Sequence, residues 1–378
     1  MALYEGIALI QEKQAVVLDL GTDYTKFGFT GEAAPRCIVR SQFWCARERR
    51  LRRVHDYRSP DELYDNLVQM LHLLYFRHVL VNPKERKVVV VESLLTPTLF
   101  RETLAKVLFT HYEVSGVIWA DRPRLSALTL GAAAALVVAL GAREAEVAPV
   151  LHAALLLPAL QAQPLGARAV HAELARLLDE HHGAPLALSD EELEDIKVKT
   201  CFVIPRARAL QWQSGSPPAA ARDVACGRVL VPGRVRELAA EALFARDAEL
   251  GSLGDAVLQC LARCPRDARR PLAESIVLTG GGAALPGLRA RLAAELRALV
   301  AEEPYASRLH VRTFKFHTAP AQPNSVAWLG GALLGAGEAG AARAQAREQY
   351  AREPRLRDWV CLLDNTPPAH PQRLAADM

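Results

Sequence analysis

Two short apolar strand pairs, more than a hundred residues apart, limit what this chain can fold into more than any other feature. In the first, Ala15–Leu20 and Lys26–Thr30 flank the turn residues Gly21, Thr22 and Asp23. In the second, Ala135–Leu140 and Val147–Leu151 flank Gly141, Ala142, Arg143 and Glu144. Apolar runs of this length bounded by glycine and polar residues read as hairpins. A third unit, the strand Ser275–Leu278, runs into Gly280, Gly281 and Gly282. Beyond Leu285-Pro286-Gly287 a helix is expected to about Ala301. Backbone N–H groups at tight turns and helix starts make anion sites, and glycine lets the backbone approach a phosphate. Two hairpins facing one another and a glycine run are therefore the parts of a cleft-type phosphate binder. Singly, each signal is weak.

Strands and helices alternate around these units. Ser59-Pro60-Asp61-Glu62 has the order of a helix N-terminus and opens an apolar helix through Tyr75. Lys87–Val91 reads as a buried strand and Pro97–Phe109 as a helix. Further helices are expected at Arg168–Glu180, Asp190–Thr200, Val235–Phe244 and Ala256–Cys264. The Pro-rich stretch Gln211–Arg222 reads as a mobile loop, and the polar tail after Gly340, with Pro367-Pro368, is expected to fray. A length of 378 residues exceeds one ordinary core and suits two packed lobes.

Composition removes several classes. Apolar residues at 51% and charged residues at 23% describe a folded globular protein. The formal charge of +4 is mild for this size, so neither a nucleic-acid nor a direct membrane partner is expected. The seven cysteines lack the spacing of a zinc site or a disulfide framework and read as reduced thiols of the cytosol. Glu5, Glu12 and Lys13 interrupt what would otherwise be the apolar stretch of an export signal. Charges at Arg143, Glu144 and Glu146 break the most apolar region into pieces shorter than the roughly 20 residues a membrane span needs.

Taken in order, the motifs resemble the actin family. The resemblance rests on Leu18-Asp19-Leu20-Gly21 with Lys26, Gly28-Phe29, Gly31-Glu32 and Ala34-Pro35-Arg36; on Glu194-Asp195-Ile196-Lys197 with Lys199 and Cys201-Phe202; on Thr279-Gly280-Gly281 with Leu285-Pro286-Gly287; and on Ser325-Val326-Ala327-Trp328-Leu329-Gly330-Gly331. These lie in the family's order along nearly the whole chain. Leu74-Tyr75-Phe76-Arg77-His78 and Phe100-Arg101-Glu102-Thr103-Leu104 are similar to the divergent actin-related type that caps the pointed end of dynactin's short filament. The resemblance implies a two-lobed α/β fold, a duplicated mixed sheet flanked by helices with a nucleotide-type cleft between the lobes. It implies a small lobe over 1–129 with a reduced outer part at 41–60, a large lobe over 130–325 with its outer part at 167–248, and a return to the small lobe over 326–378.

The same resemblance implies a nucleotide site, vestigial or structural, at Asp19, Gly21, Thr22, Lys26, Gly141, Lys197, Gly280, Gly281 and Gly282, with Asp19 on the magnesium side through water. ATP or ADP with magnesium is expected as a structural wedge or not at all. The family's phosphate-turn glycine is here Asp23. Its two aspartates of the second hairpin fall at Ala139 and Ala142, which removes half of the ion's expected oxygen shell. Its water-positioning glutamine falls at about Arg122, which cannot accept a proton. A glutamate and a lysine on the adenosine side fall at Val198 and Asn324. No catalytic residue is expected.

Between Pro35 and Ser59 the chain is about half as long as the family's, and the missing piece includes the loop that inserts into the next filament subunit. A head-to-tail polymer that loses one half of its complementary contact stops growing at that subunit. Arg47, Arg49, Arg50, Arg52 and Arg53 remain there and read either as a solvated, mobile charge run or as a docking strip for an acidic partner. Implied partners are actin-like filament subunits and other dynactin pointed-end subunits, and through them dynein and cargo adaptors, in the cytoplasm and cytoskeleton. An ATPase or sugar-kinase-like phosphotransferase of the same architecture, or a nuclear chromatin-remodelling subunit, are the alternatives.

Overall fold

The computed structural model describes residues 14–356 apart from 216, 217, 247, 248 and 250. The expectations for the N-terminal stretch before Gln14 and for Pro367-Pro368 lie outside the described residues.

Two sheets repeat one arrangement. Val16–Leu20 pairs antiparallel with Tyr24–Phe29 and, on its other side, parallel with Lys87–Glu92. Ala134–Leu140 pairs antiparallel with Ala145–Leu151 and parallel with Ile276–Thr279. The first sheet continues outward through Gly116–Asp121 to Gln345–Ala346 at one edge and to Cys37–Arg40 at the other. Val88 to Val91 are all buried, as a parallel strand covered on both faces requires. The repeat carries a register. Asp19 lies opposite Lys26 in the first hairpin, and Ala139 lies opposite Glu146 in the second.

Each sheet organises its own core, around Leu18, Phe27 and Leu67 in one lobe and around Leu136, Val138 and Val147 in the other. Helix Val326–Ala336 packs against the first sheet and the short helix Arg122–Leu128. Trp328, fully buried, donates its indole N–H to the Val17 carbonyl at 3.2 Å. A Cβ on Gly330 would stand 2.1 Å from the Leu125 carbonyl oxygen, so that crossing admits no side chain.

The helix foreseen after Ser59 spans Pro60–Leu73. The Ser59 hydroxyl accepts from the Glu62 N–H at 3.2 Å, and Pro60 takes the first helical position, where a missing N–H costs nothing. Its last part widens into a π-helical segment, Leu74–Val79, that Leu80 ends with a φ of 55°.

One loop expectation is corrected and the start of another is shifted. The arginine run is a two-stranded hairpin, Gln42–Cys45 with Arg50–Arg53, in which Phe43 points inward and Trp44 outward. Its charge is partly neutralised: Arg50 and Arg52 hold Glu48, Arg52 also holds Glu62, and Arg53 holds Asp190. Arg47 and Arg49 are exposed at the turn. The Gln211–Arg222 stretch begins inside the helix Arg206–Gln213 and is tied down near its end. The Glu237 carboxylate accepts from the Ala221 N–H at 2.7 Å, and Arg236 donates to the Arg222 carbonyl at 2.6 Å.

Candidate functional site

The floor of the cleft is built on Asp19. Strand pairing sets it beside Lys26, whose ammonium donates to Oδ2 at 2.8 Å. The helix Arg122–Leu128 starts where Gly116–Asp121 leaves the first sheet, and there Arg122 donates to Oδ1, also at 2.8 Å. Both carboxylate oxygens therefore accept from a cation. Burial alone would raise the Asp19 pKa, but the charges of Lys26 and Arg122 outweigh it and hold the group below the ordinary carboxylate range.

The turn after Asp19 is held by bonds to its own hairpin and to Ser41. The Gly21 N–H donates to the Tyr24 carbonyl, and the Gly21 carbonyl accepts from the Ser41 hydroxyl at 2.6 Å. Asp23 pairs with Arg168 at 3.1 Å, in the first turn of helix Ala167–His182 of the other lobe. The acidic replacement in this turn thus has a cation of its own. Thr22 lies at the rim of what remains of the gap.

In the second hairpin Gly141 closes the turn by donating to the Glu144 carbonyl at 2.9 Å, while its own carbonyl and that of Ala142 accept from the Ala167 and Arg168 N–H groups. Ala139 offers a methyl group where the first hairpin offers Asp19. Sequence reasoning missed Glu146, which stands opposite Ala139 as Lys26 stands opposite Asp19. The signal was available in that register. Glu146 is buried, accepts from the Ser93 hydroxyl, and leaves Oε2 without a hydrogen-bond partner among the described residues. Burial raises its pKa despite Ser93 and Arg122.

The glycine run has a packing role. Gly280, at φ 86°, approaches the end of the second hairpin so closely that a Cβ would lie 2.3 Å from the Leu140 carbonyl oxygen. At Gly282 a Cβ would lie 3.0 Å from the Leu140 side chain. Gly281 alone faces open space. Lys197 is buried and sits 2.9 Å from His171 Nε2. Burial, helped by the lysine charge, pushes His171 down to about 4, so a neutral imidazole accepts from the ammonium.

The mouth of the cleft is crossed by charge pairs. Arg53 reaches Asp190 at 2.5 Å, Arg40 reaches Glu194 at 3.1 Å and Glu191 at 3.4 Å, and the Tyr24 hydroxyl donates to Glu194 at 2.9 Å. All three acids stand on Asp190–Thr200, whose start is fixed by a capping box between Ser189 and Glu192. The hydrogen bond to Arg53 holds Asp190 below its ordinary pKa. Between Thr22 and His171 the free volume is about 20 Å³, room for one water.

A family model described as Actin matches residues 62–353. The chain belongs to the actin family. This actin-family chain is 22% identical over 404 aligned positions to actin-related protein 10 of Dictyostelium discoideum, covering 86% of this chain and 83% of that relative. It is 25% identical over 366 positions to actin-related protein 2 of Arabidopsis thaliana, covering 86% of this chain and 92% of that one.

The actin fold generally binds a nucleotide with magnesium, and the residues here do not fit that group. Magnesium needs carboxylate and water oxygens in an octahedral shell. Both Asp19 oxygens accept from cations, and Ala139 and Ala142 carry no side-chain oxygen, so the carboxylates of that shell are lacking. Arg122, in the place of a group that would position water, is spent on Asp19.

Proposed function

We propose that this chain is a non-catalytic actin-related subunit that terminates the pointed end of dynactin's short actin-like filament. There it carries other pointed-end subunits and, through them, the attachment of cargo adaptors to dynein-driven transport along microtubules in the cytoplasm. The observation that carries the non-catalytic half is the Asp19 carboxylate held between Lys26 and Arg122. A carboxylate held between two fixed cations is a poor ligand for a further, divalent cation, which those cations repel, and an arginine cannot serve as a base. Mg–ATP is then neither hydrolysed nor needed to close the cleft.

The terminating half is supported by the short hairpin Gln42–Arg53, which occupies the stretch where longer relatives carry an inserting loop, and which turns three of its arginines toward the chain's own acids. On this reading the small lobe takes in residues up to about 129 and again from 326, and the large lobe lies between. The similarity of Leu74–His78 and Phe100–Leu104 to the dynactin pointed-end type supports the choice of complex.

Size-exclusion chromatography with the dynactin pointed-end subunits tests this. Co-elution that is the same with and without Mg–ATP is the expected result. Long filaments formed by the chain alone, or co-elution with chromatin-remodelling subunits instead, would contradict it.

A further inference from the structure

On the large lobe, outside the cleft, a cavity of about 710 Å³ opens between the end of helix Leu253–Arg263, the helix Arg266–Ala273 and the segment Pro304–His310. Its wall carries Arg263, Arg266, Arg269, Arg308 and His310, and no carboxylate. Arg269 is fixed: its guanidinium donates to the carbonyls of Ala262, Cys264 and Arg308 at 2.7, 3.0 and 2.9 Å, which knits the walls together. Three of its five N–H donors are used on carbonyls, which leaves two donors and does not cancel its charge. Arg263, Arg266 and Arg308 are exposed at the rim, and none of the four arginines makes an ion pair among the described residues. The contrast with the rest of the molecule is informative. Many arginines elsewhere are matched to acids, as at Arg291 with Glu241 and Glu295, or Arg208 with Glu237, whereas Arg236, Arg289 and Arg312 meet carbonyls singly rather than as a cluster. The acids adjacent along the chain, Asp267 and Glu303, lie outside the wall, and Glu303 accepts from the Ser307 hydroxyl at 2.7 Å.

We propose that this cavity is a docking site for an acidic peptide segment of a partner protein. Guanidinium groups bind carboxylates through paired N–H donors, and a fixed charge such as that of Arg269 anchors one carboxylate without losing side-chain entropy. Ala262, Pro304 and Tyr305 supply apolar wall between the charges, which suits peptide side chains alternating acid and hydrocarbon better than a compact polyphosphate. The cavity is open to solvent on one side, as an extended segment entering and leaving requires. The site shares no residue with the cleft.

The test uses the full chain and a fluorescein-labelled decapeptide of alternating glutamate and leucine, read by anisotropy. The comparison peptide has glutamine for glutamate. The expected result is saturable binding of the glutamate peptide alone, weakening as salt rises. Arg263→Glu with Arg308→Glu should weaken it at least tenfold, while Arg47→Glu with Arg49→Glu, at the distant hairpin turn, should change it less than twofold. Arg269 is left intact because it holds the walls, and an unchanged melting temperature shows that the double variant is folded. Equal loss in both double variants would overturn the proposal, since binding would then follow net charge. Inositol hexakisphosphate binding tighter than the peptide and lost with Arg263 and Arg308 would also overturn it, by making the site one for a polyphosphate.

Discussion

Arg122 donates to Asp19 across 2.8 Å, and it does so from a helix start more than a hundred residues away in the chain. The contact fills one side of a carboxylate that Lys26 holds on the other. It sets this acid between two cations, a cluster of net charge +1 at the floor of the cleft. The consequences differ for each member.

Asp19→Ala leaves two cations facing one another in a buried place and should destabilise the chain by roughly 3–5 kcal/mol. Arg122→Ala leaves the Asp19–Lys26 pair in place and should cost about 1–2 kcal/mol. Urea denaturation of both variants checks the order, which is the informative part.

His171 gives a pH dependence with a definite sign. Its pKa in the fold is about 4, below the roughly 6.5 of a histidine in an unfolded chain. Between these values the unfolded chain binds a proton that the folded chain refuses, so the histidine's contribution is present above pH 6.5 and is lost as pH falls toward 4. The stability advantage of the wild type over His171→Gln, read from urea midpoints, should therefore be flat above about pH 7 and shrink through that window.

Packing, more than ligand approach, accounts for two of the three cleft glycines. Gly280→Ala places a Cβ against the Leu140 carbonyl from a left-handed backbone and should cost more than about 3 kcal/mol. Gly281→Ala meets nothing within 4 Å and should stay within about 1 kcal/mol of the parent. Thermal unfolding of the two single variants separates them.

The pairs at the cleft mouth are partly exposed, so their net worth is small while their effect on closure is not. Arg40→Ser with Arg53→Ser should change global stability by less than about 1 kcal/mol. Hydrogen exchange should nonetheless quicken in Cys37–Arg40, Arg50–Arg53 and Asp190–Thr200, the elements those arginines tie together.

Much of the scaffold was legible in the sequence because its signals are local. The two hairpins declare themselves by apolar runs around glycine turns, the Ser59 cap by its spacing to Glu62, and the third strand by the glycines that follow it. The charge pairs were not legible, since Asp19 with Arg122, Asp23 with Arg168 and Arg53 with Asp190 join residues far apart in sequence, and no local pattern selects one acid for one arginine. The arginine run misled for the same reason. Its charge suggested solvent, but Phe43 had a core to enter and Glu48, Glu62 and Asp190 lay within reach. Glu146 stood between these cases, visible once the second hairpin's register was compared with the first.

The most direct test of a cleft closed by its own ion pairs is the melting temperature of the chain, stripped with EDTA, against the same sample in saturating Mg–ATP. Any ligand that binds only the folded state raises stability, by about 2.7 kcal/mol at a hundred times its dissociation constant. The account predicts superimposable melting curves. A rise of several degrees with Mg–ATP, reversed by EDTA, would contradict it.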